Sequence, residues 1–326
     1  MRWIGAIGAL LAGVAPAQQY QPPAHLTGPP TILQKASPQE VQALADGGGQ
    51  IEQGRTARWS LAEHRRLSTA LAAVQPGRKG MVDAYVVAVA LDSDPVFGRE
   101  AREAGRVLAR RYDATGRTIV LAGSDGHAES TLPRGSPDNI VAALARVAEV
   151  MDVQEDVLIL YTTSHGAPLG VVYNDGDQGY GALSPYRLWL TLGELGIVNR
   201  MIVVSACYSG VFVPLLQSPT SVVVTAASSE RSSFGCVSDN DWTFFGDALV
   251  NHALRKPQPL ATAVSEAMAL VSGWEASAAL TASDPQVSIG ADVARWLAPL
   301  EKRAPRVATT AVGRPAVAAI ASVPQR

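Results

Sequence analysis

The stretch RMIVVSACYSG, Arg200–Gly210, decides the architecture of this chain. From Met201 to Val204 it is apolar on every residue, with no polar alternation. A half-solvated strand alternates; one that stays apolar throughout is covered on both faces, as in a parallel sheet. The same texture occurs in AYVVAVAL (84–91), TIVLAG (118–123), DVLILYTTS (156–164) and SVVVTAAS (221–228). Helical patterns lie between them. GREAREAGRVLARRY (98–112) is one. SPDNIVAALARVAEVM (136–151) and LSPYRLWLTLGELG (183–196) each set a serine cap before a proline at the first helical position. DWTFFGDALVNHALR (241–255) and PLATAVSEAMALVSGWEA (259–276) predict later helices, and PQVSIG (285–290) a closing strand. The expectation is an α/β fold: a mostly parallel sheet with helices on both faces, in three layers.

Outward from that core the texture changes. MRWIGAIGALLAGVAPA (1–17) joins Arg2, an apolar run from Trp3 to Val14 and a small-residue box, which predicts a secretory signal cut after Ala17. The run is short for a bilayer span, so no integral span is expected beyond the signal segment. An exported chain, periplasmic or secreted, follows; an uncleaved anchor is the alternative. Residues 18–59, rich in Gln, Pro and Gly, read as a flexible lead-in. SLAEHRRLSTALAAV from Ser60 reads as the helix that opens a domain over 60–300, and the Ala/Val/Pro-biased residues 301–326 as a disordered tail. Lys plus Arg number 27 against 29 acidic residues, which argues against a nucleic-acid partner.

In an open parallel sheet, ligands bind beyond the carboxyl ends of the strands. Two of those ends carry reactive groups. DVLILYTTS runs out into His165–Gly166, and RMIVVSA runs out into Cys207. One helix, Pro185 to Leu195, is expected between them, so the two strands form a single right-handed crossover and can lie side by side. An imidazole beside a thiol makes the thiolate available or takes its proton during attack. Gly166 and the turn at Cys207 offer backbone N–H groups for an acyl oxyanion. His25, His64, His127 and His252 lack such neighbours and read as surface residues. GDQGYG from Gly176 follows no strand and reads as a turn, not a nucleotide loop. No cysteine–histidine grouping has zinc spacing, and no cofactor is expected. The two cysteines, Cys207 and Cys236, suit either a disulfide or free thiols on spacing alone.

The motifs YTTSHGAPLG (161–170), VVSACYSG (203–210), VVTAASSERSSFGC (223–236) and FFGDALVN (244–251) together resemble the legumain-type cysteine peptidases of the caspase-like clan, closest in style to bacterial secreted members. The resemblance covers about Tyr85 to Gly290. It implies a caspase-like fold and a cysteine endopeptidase acting on proteins or peptides, with catalytic His165 and Cys207 and with Gly166 in the oxyanion hole. It also implies a pocket for a small polar residue (Asn or Asp) from Arg99, Ser205, Ser232 and Asp247. Cys236 falls beside that pocket, which favours two free thiols. The chain departs from the pattern in two places: Ser205 stands where legumain has a glutamate, and Ser164 where it has an aspartate. The asparagine sometimes proposed as a third catalytic member has no counterpart near Phe97. A transpeptidase or ligase with the same dyad, and a non-catalytic, disulfide-stapled binding module, are the competing readings.

Overall fold

The computed structural model describes residues 25–123 and 125–318. The signal expected over 1–17 lies outside them, as do the last eight residues of the expected tail, 319–326. The chain enters through α1 (Thr31–Lys35), α2 (Pro38–Asp46), β1 (Gln50–Glu52) and α3 (Ala57–Ala72). The sheet then starts with β2 (Ala84–Ala90), α4 (Pro95–Arg111), β3 (Thr118–Leu121), α5 (Pro137–Val150) and β4 (Val157–Thr163). A small hairpin system follows: β5 (Gly166–Ala167), β6 (Gly170–Asp175) and β7 (Gly179–Leu183). The sheet resumes with α6 (Pro185–Glu194), β8 (Arg200–Ser205), a 3-10 turn over Ser209–Phe212, α7 (Val213–Leu216) and β9 (Ser221–Thr225). The last elements are α8 (Phe244–Gly246) with a π-helical continuation to Ala253, α9 (Leu260–Ser277), β10 (Gln286–Ile289) and α10 (Ala294–Arg303).

Six strands form the central sheet in the order β10-β9-β8-β4-β2-β3. Every pairing is parallel except β10 on β9, at the edge. Successive side chains on a strand point to opposite faces, and here they sort into two cores. Val86, Ala88, Ile159, Tyr161, Val203 and Val224 face α4, α9, α10 and the 244–254 helix. Tyr85, Val87, Leu158, Leu160, Ile202 and Val223 face α5, α6 and the half-buried Leu67 and Leu71 of α3. Both faces are therefore dry, which is why these strands are apolar throughout. Each fully buried Leu, Ile or Val contributes about 1.5–3 kcal/mol relative to exposure. The expected α/β class, a mostly parallel sheet between two helix layers, is the fold observed.

The serine caps work as read. Ser136 Oγ accepts the Asn139 N–H at 3.2 Å, and Ser184 Oγ accepts that of Arg187 at 3.0 Å. The helix expected from Ser60 starts earlier, at Ala57, because Thr56 Oγ1 takes the Trp59 N–H at 3.1 Å and caps it there.

Three expectations change. The crossover between His165 and Cys207 holds a hairpin as well as a helix: β6 and β7 pair antiparallel, turning through Gly176 and Asp177, both with positive φ. GDQGYG is thus a turn, as read, but one that joins two strands. The lead-in is structured over much of its length. Its β1 pairs antiparallel with β7, and Tyr173 O–H donates to Glu52 at 2.7 Å. The polar residues that made it look like a linker are partners for the edge of the small sheet. The tail is likewise ordered through residue 318. Ala316 N–H donates to Asp247 Oδ2 at 2.7 Å and Val312 N–H to Asn251 Oδ1 at 2.9 Å. An extended strap held through its backbone leaves no side-chain period to read.

Candidate active site

β4 and β8 are neighbours in register, with Thr163 opposite Ser205. One residue further on, Ser164 N–H still donates to Ser205 O at 3.2 Å, so the two strands leave the sheet together. His165 and Cys207 sit just past this last bond. Beyond it the chains touch backbone to backbone. A Cβ built on Gly166 would lie 1.9 Å from Cys207 O and 2.9 Å from Cys207 N, so only glycine fits. Tyr208, with φ +57°, makes the left-handed turn that tips the chain from β8 into the 3-10 helix. Its N–H is held by Arg231 O at 2.8 Å. A bulky residue at positive φ is uncommon, and this one fixes the direction of the Cys207 side chain.

Both reactive side chains have partners. Cys207 Sγ accepts the Ser233 N–H at 3.2 Å, with Ser233 Oγ at 3.6 Å. His165 Nε2 faces Asp94 Oδ2 at 3.4 Å, and Phe97 packs its edge on the imidazole at 5.1 Å between ring centroids. The Asp94 contact raises the His165 pKa above its ordinary value and lowers that of Asp94. Both cysteines are free. Cys236 packs among Ala90, Val96, Phe97 and Ala101, and burial pushes its thiol well above the usual range.

The expected pocket residues each have partners of their own. Arg99 has all three nitrogens engaged: Nη1 on Asp125 O at 2.9 Å, Nη2 on the carbonyls of Ser238 and Asn240, and Nε 3.2 Å from Asp241 Oδ1. It staples the 235–241 loop. Asp247 is fully buried, takes the Asn251 side-chain amide at 2.8 Å, and anchors the tail through Ala316. Each of the two is thus held by partners within the protein. Ser205 is buried with its Oγ 3.1 Å from Thr243 Oγ1, beside Glu100, which takes the Tyr161 O–H at 2.6 Å and the Thr243 N–H at 2.8 Å. Ser232 is exposed; its neighbour Ser233 is the serine that touches Cys207.

His25 corrects the reading of a surface residue. Its Nε2 lies 2.8 Å from Asp92 Oδ1 and 3.7 Å from Asp94 Oδ1, while Leu26 and Thr27 N–H donate to Asp177 Oδ2. The Asp92 hydrogen bond raises the His25 pKa to about 9. Among the described residues, His25, Asp92 and Asp94 alone are grouped closely enough to surround a cation, but their own ion pairs already hold them together and no metal is assigned. Asp92, Asp94 and Ser233 are the site residues that sequence reasoning missed. DSDP follows β2 directly, so the strand-end rule that selects His165 and Cys207 also selects Asp92 and Asp94.

The sequence model of the Peptidase C13 family matches residues 135–275, which include His165, Cys207, Ser233, Cys236 and Asp247. Over that stretch the chain is similar to the Peptidase C13 family. The match supports a cysteine peptidase, a hydrolase with a protein substrate, and agrees with the legumain-type resemblance of the motifs. No curated protein sequence matches the chain. Among solved structures, caspase-1 from Spodoptera frugiperda is similar at 14% identity and a TM-score of 0.41, covering 67% of this chain and 93% of that one. The structure described as pro-sf-caspase-1 is similar at 14% identity and a TM-score of 0.42, covering 65% and 92%. Among the described residues, no helix is long and apolar enough to cross a membrane.

Proposed function

We propose that this chain is an endopeptidase with Cys207 as nucleophile and His165 as base. The observation that carries the reading is the meeting of the two strand tips, with Gly166 packed directly on the Cys207 backbone. Cys207 Sγ attacks the peptide carbonyl carbon and its proton passes to the imidazole. The carbonyl oxygen, now anionic, is held by the Gly166 and Cys207 N–H groups. The tetrahedral species then collapses to a thioester as the imidazolium gives its proton to the departing amine. Water, deprotonated by the same imidazole, hydrolyses the thioester and frees the thiol.

A small polar residue, Asn or Asp, before the cut rests on the family resemblance. Arg99 and Asp247 are the residues that the resemblance assigns to that pocket, and both are held by internal partners, the 235–241 loop and the tail. Export rests on the Arg2–Ala17 pattern alone.

The test is a peptidyl acyloxymethyl ketone bearing Asn or Asp, followed by mass mapping of the labelled residue. Label on Cys207, and loss of about 10³-fold or more of peptidase activity in Cys207→Ala with the fold retained, is expected. Full activity in Cys207→Ala overturns the assignment. A peptide library then reports the preferred residue at the cut, and a preference for large apolar or basic residues overturns the small-polar reading.

A further inference from the structure

Asp94 stands at the N-cap of α4, directly before Pro95 at the first helical position. An aspartate there ordinarily turns back and accepts an N–H from its own first turn. This one does not cap its helix. Its carboxylate points across the cleft instead, with Oδ2 3.4 Å from His165 Nε2. The group is held from several sides. Ser238 O–H donates to Oδ1 at 3.0 Å, and the Asp94 N–H is bonded to Asp92 Oδ1 at 2.8 Å. Phe97, one turn along α4, meets the imidazole ring edge to face, so one short segment supplies both a packing partner for the ring and the partner of one nitrogen. A local rule broken where a reactive group lies opposite marks a site, not an accident of packing.

We propose that Asp94 is a positioning residue for His165: it takes the Nε2–H of the imidazole and so leaves Nδ1 as the nitrogen that receives the Cys207 proton. This rests on the dyad reading above. The proton balance is simple. Neutral His165 carries its hydrogen on Nε2, facing the carboxylate. On attack the thiol proton moves to Nδ1 and the ring becomes an imidazolium between two partners. On collapse the Nδ1 proton goes to the leaving amine, and Asp94 stays ionised throughout. The charged groups that act on the His165 ring are Asp94, Asp92 and His25. The two carboxylates favour the imidazolium and the His25 cation opposes it, with Asp94 the strongest influence. The Asp94 carboxyl is itself held below the usual carboxylate range, so it is charged wherever the thiol is used.

Asp94→Asn and Asp94→Ala in the full chain test the assignment, each compared with Cys207→Ala. The expected result is a kcat lowered about 10- to 100-fold with KM within threefold, as for loss of a group that orients a general base. His165 should also titrate at lower pH in Asp94→Asn, read by NMR of histidine-labelled protein, because the carboxylate that favours the imidazolium is gone. The acid limb of kcat/KM should move to lower pH with it. A purely structural Asp94 would lower thermal stability and leave the His165 titration where it was. A kcat within twofold of the parent, or an unmoved His165 titration, overturns the proposal. An inactive Cys207→Ala beside an unaffected Asp94→Asn sinks the positioning assignment alone; an active Cys207→Ala sinks the dyad and the assignment with it.

Discussion

Gly166 and Cys207 pack backbone on backbone, with the position of a Gly166 Cβ only 1.9 Å from the Cys207 carbonyl oxygen. The obstacle is main chain just past the end of β8, which cannot swing away as a side chain would. Gly166→Ala should therefore separate the two strand tips. We expect about 1–3 kcal/mol of destabilisation in denaturant unfolding, the usual cost of overpacking. The loss in kcat/KM should be larger than stability alone explains. Unchanged stability and activity would mean that the tips have slack.

Asp247 is a structural anchor. It is fully buried and binds the Ala316 N–H and the Asn251 amide. Asp247→Ala leaves those donors unpaired, at a cost of about 1–3 kcal/mol for each that stays buried. Limited proteolysis should then cut within 304–318 faster than in the parent, while the residue preference at the cut stays the same. A changed preference without tail release would return Asp247 to the substrate pocket.

The N-terminal strap is expected to be pH-sensitive through His25. Its pKa is raised from 6.5 to about 9, chiefly by the hydrogen bond to Asp92. A raised value means the native state binds the proton more tightly. The contribution to stability is then complete below pH 6.5 and is lost as pH rises through about 9. An NMR titration of the His25 ring should show a midpoint near 9 in the parent and one nearer 6.5 in Asp92→Asn. The same midpoint in both would remove Asp92 as the cause.

Native thiol chemistry should distinguish the two cysteines. Both are half-buried, but Cys236 is packed against Phe97 with its thiol pushed up by its surroundings, whereas Cys207 stands at a strand tip. Iodoacetamide at neutral pH, without reductant, should label Cys207 and spare Cys236 until the chain is denatured, when both react. No labelling after denaturation would point to a Cys207–Cys236 disulfide and a chain locked inactive.

Much of the fold was legible because burial on both faces is a local property of a strand. AYVVAVAL, DVLILYTTS, RMIVVSA and SVVVTAAS each carry it, and the Ser-Pro starts of α5 and α6 are equally local. The small sheet was not. β1 and β5 are too short to show a period, and they exist because β7 and β6 offer them an edge. The ordered tail escaped for the same reason, since its bonds are made by backbone groups that every residue carries.

The candidate site divides along the same line. His165 and Cys207 were found because a reactive residue at the end of a buried strand is visible in one dimension. The surroundings of those two residues were decided by tertiary structure alone. Arg99 and Asp247 found partners in the 235–241 loop and at Ala316, Ser233 came to touch the Cys207 sulfur, and Asp94 came to face an imidazole 71 positions away. Sequence by itself determined which strands are buried and which residues stand at their tips, because periodicity is set by neighbours along the chain. The partner of each polar side chain depends on groups brought together from distant segments, and only the folded arrangement selects among them.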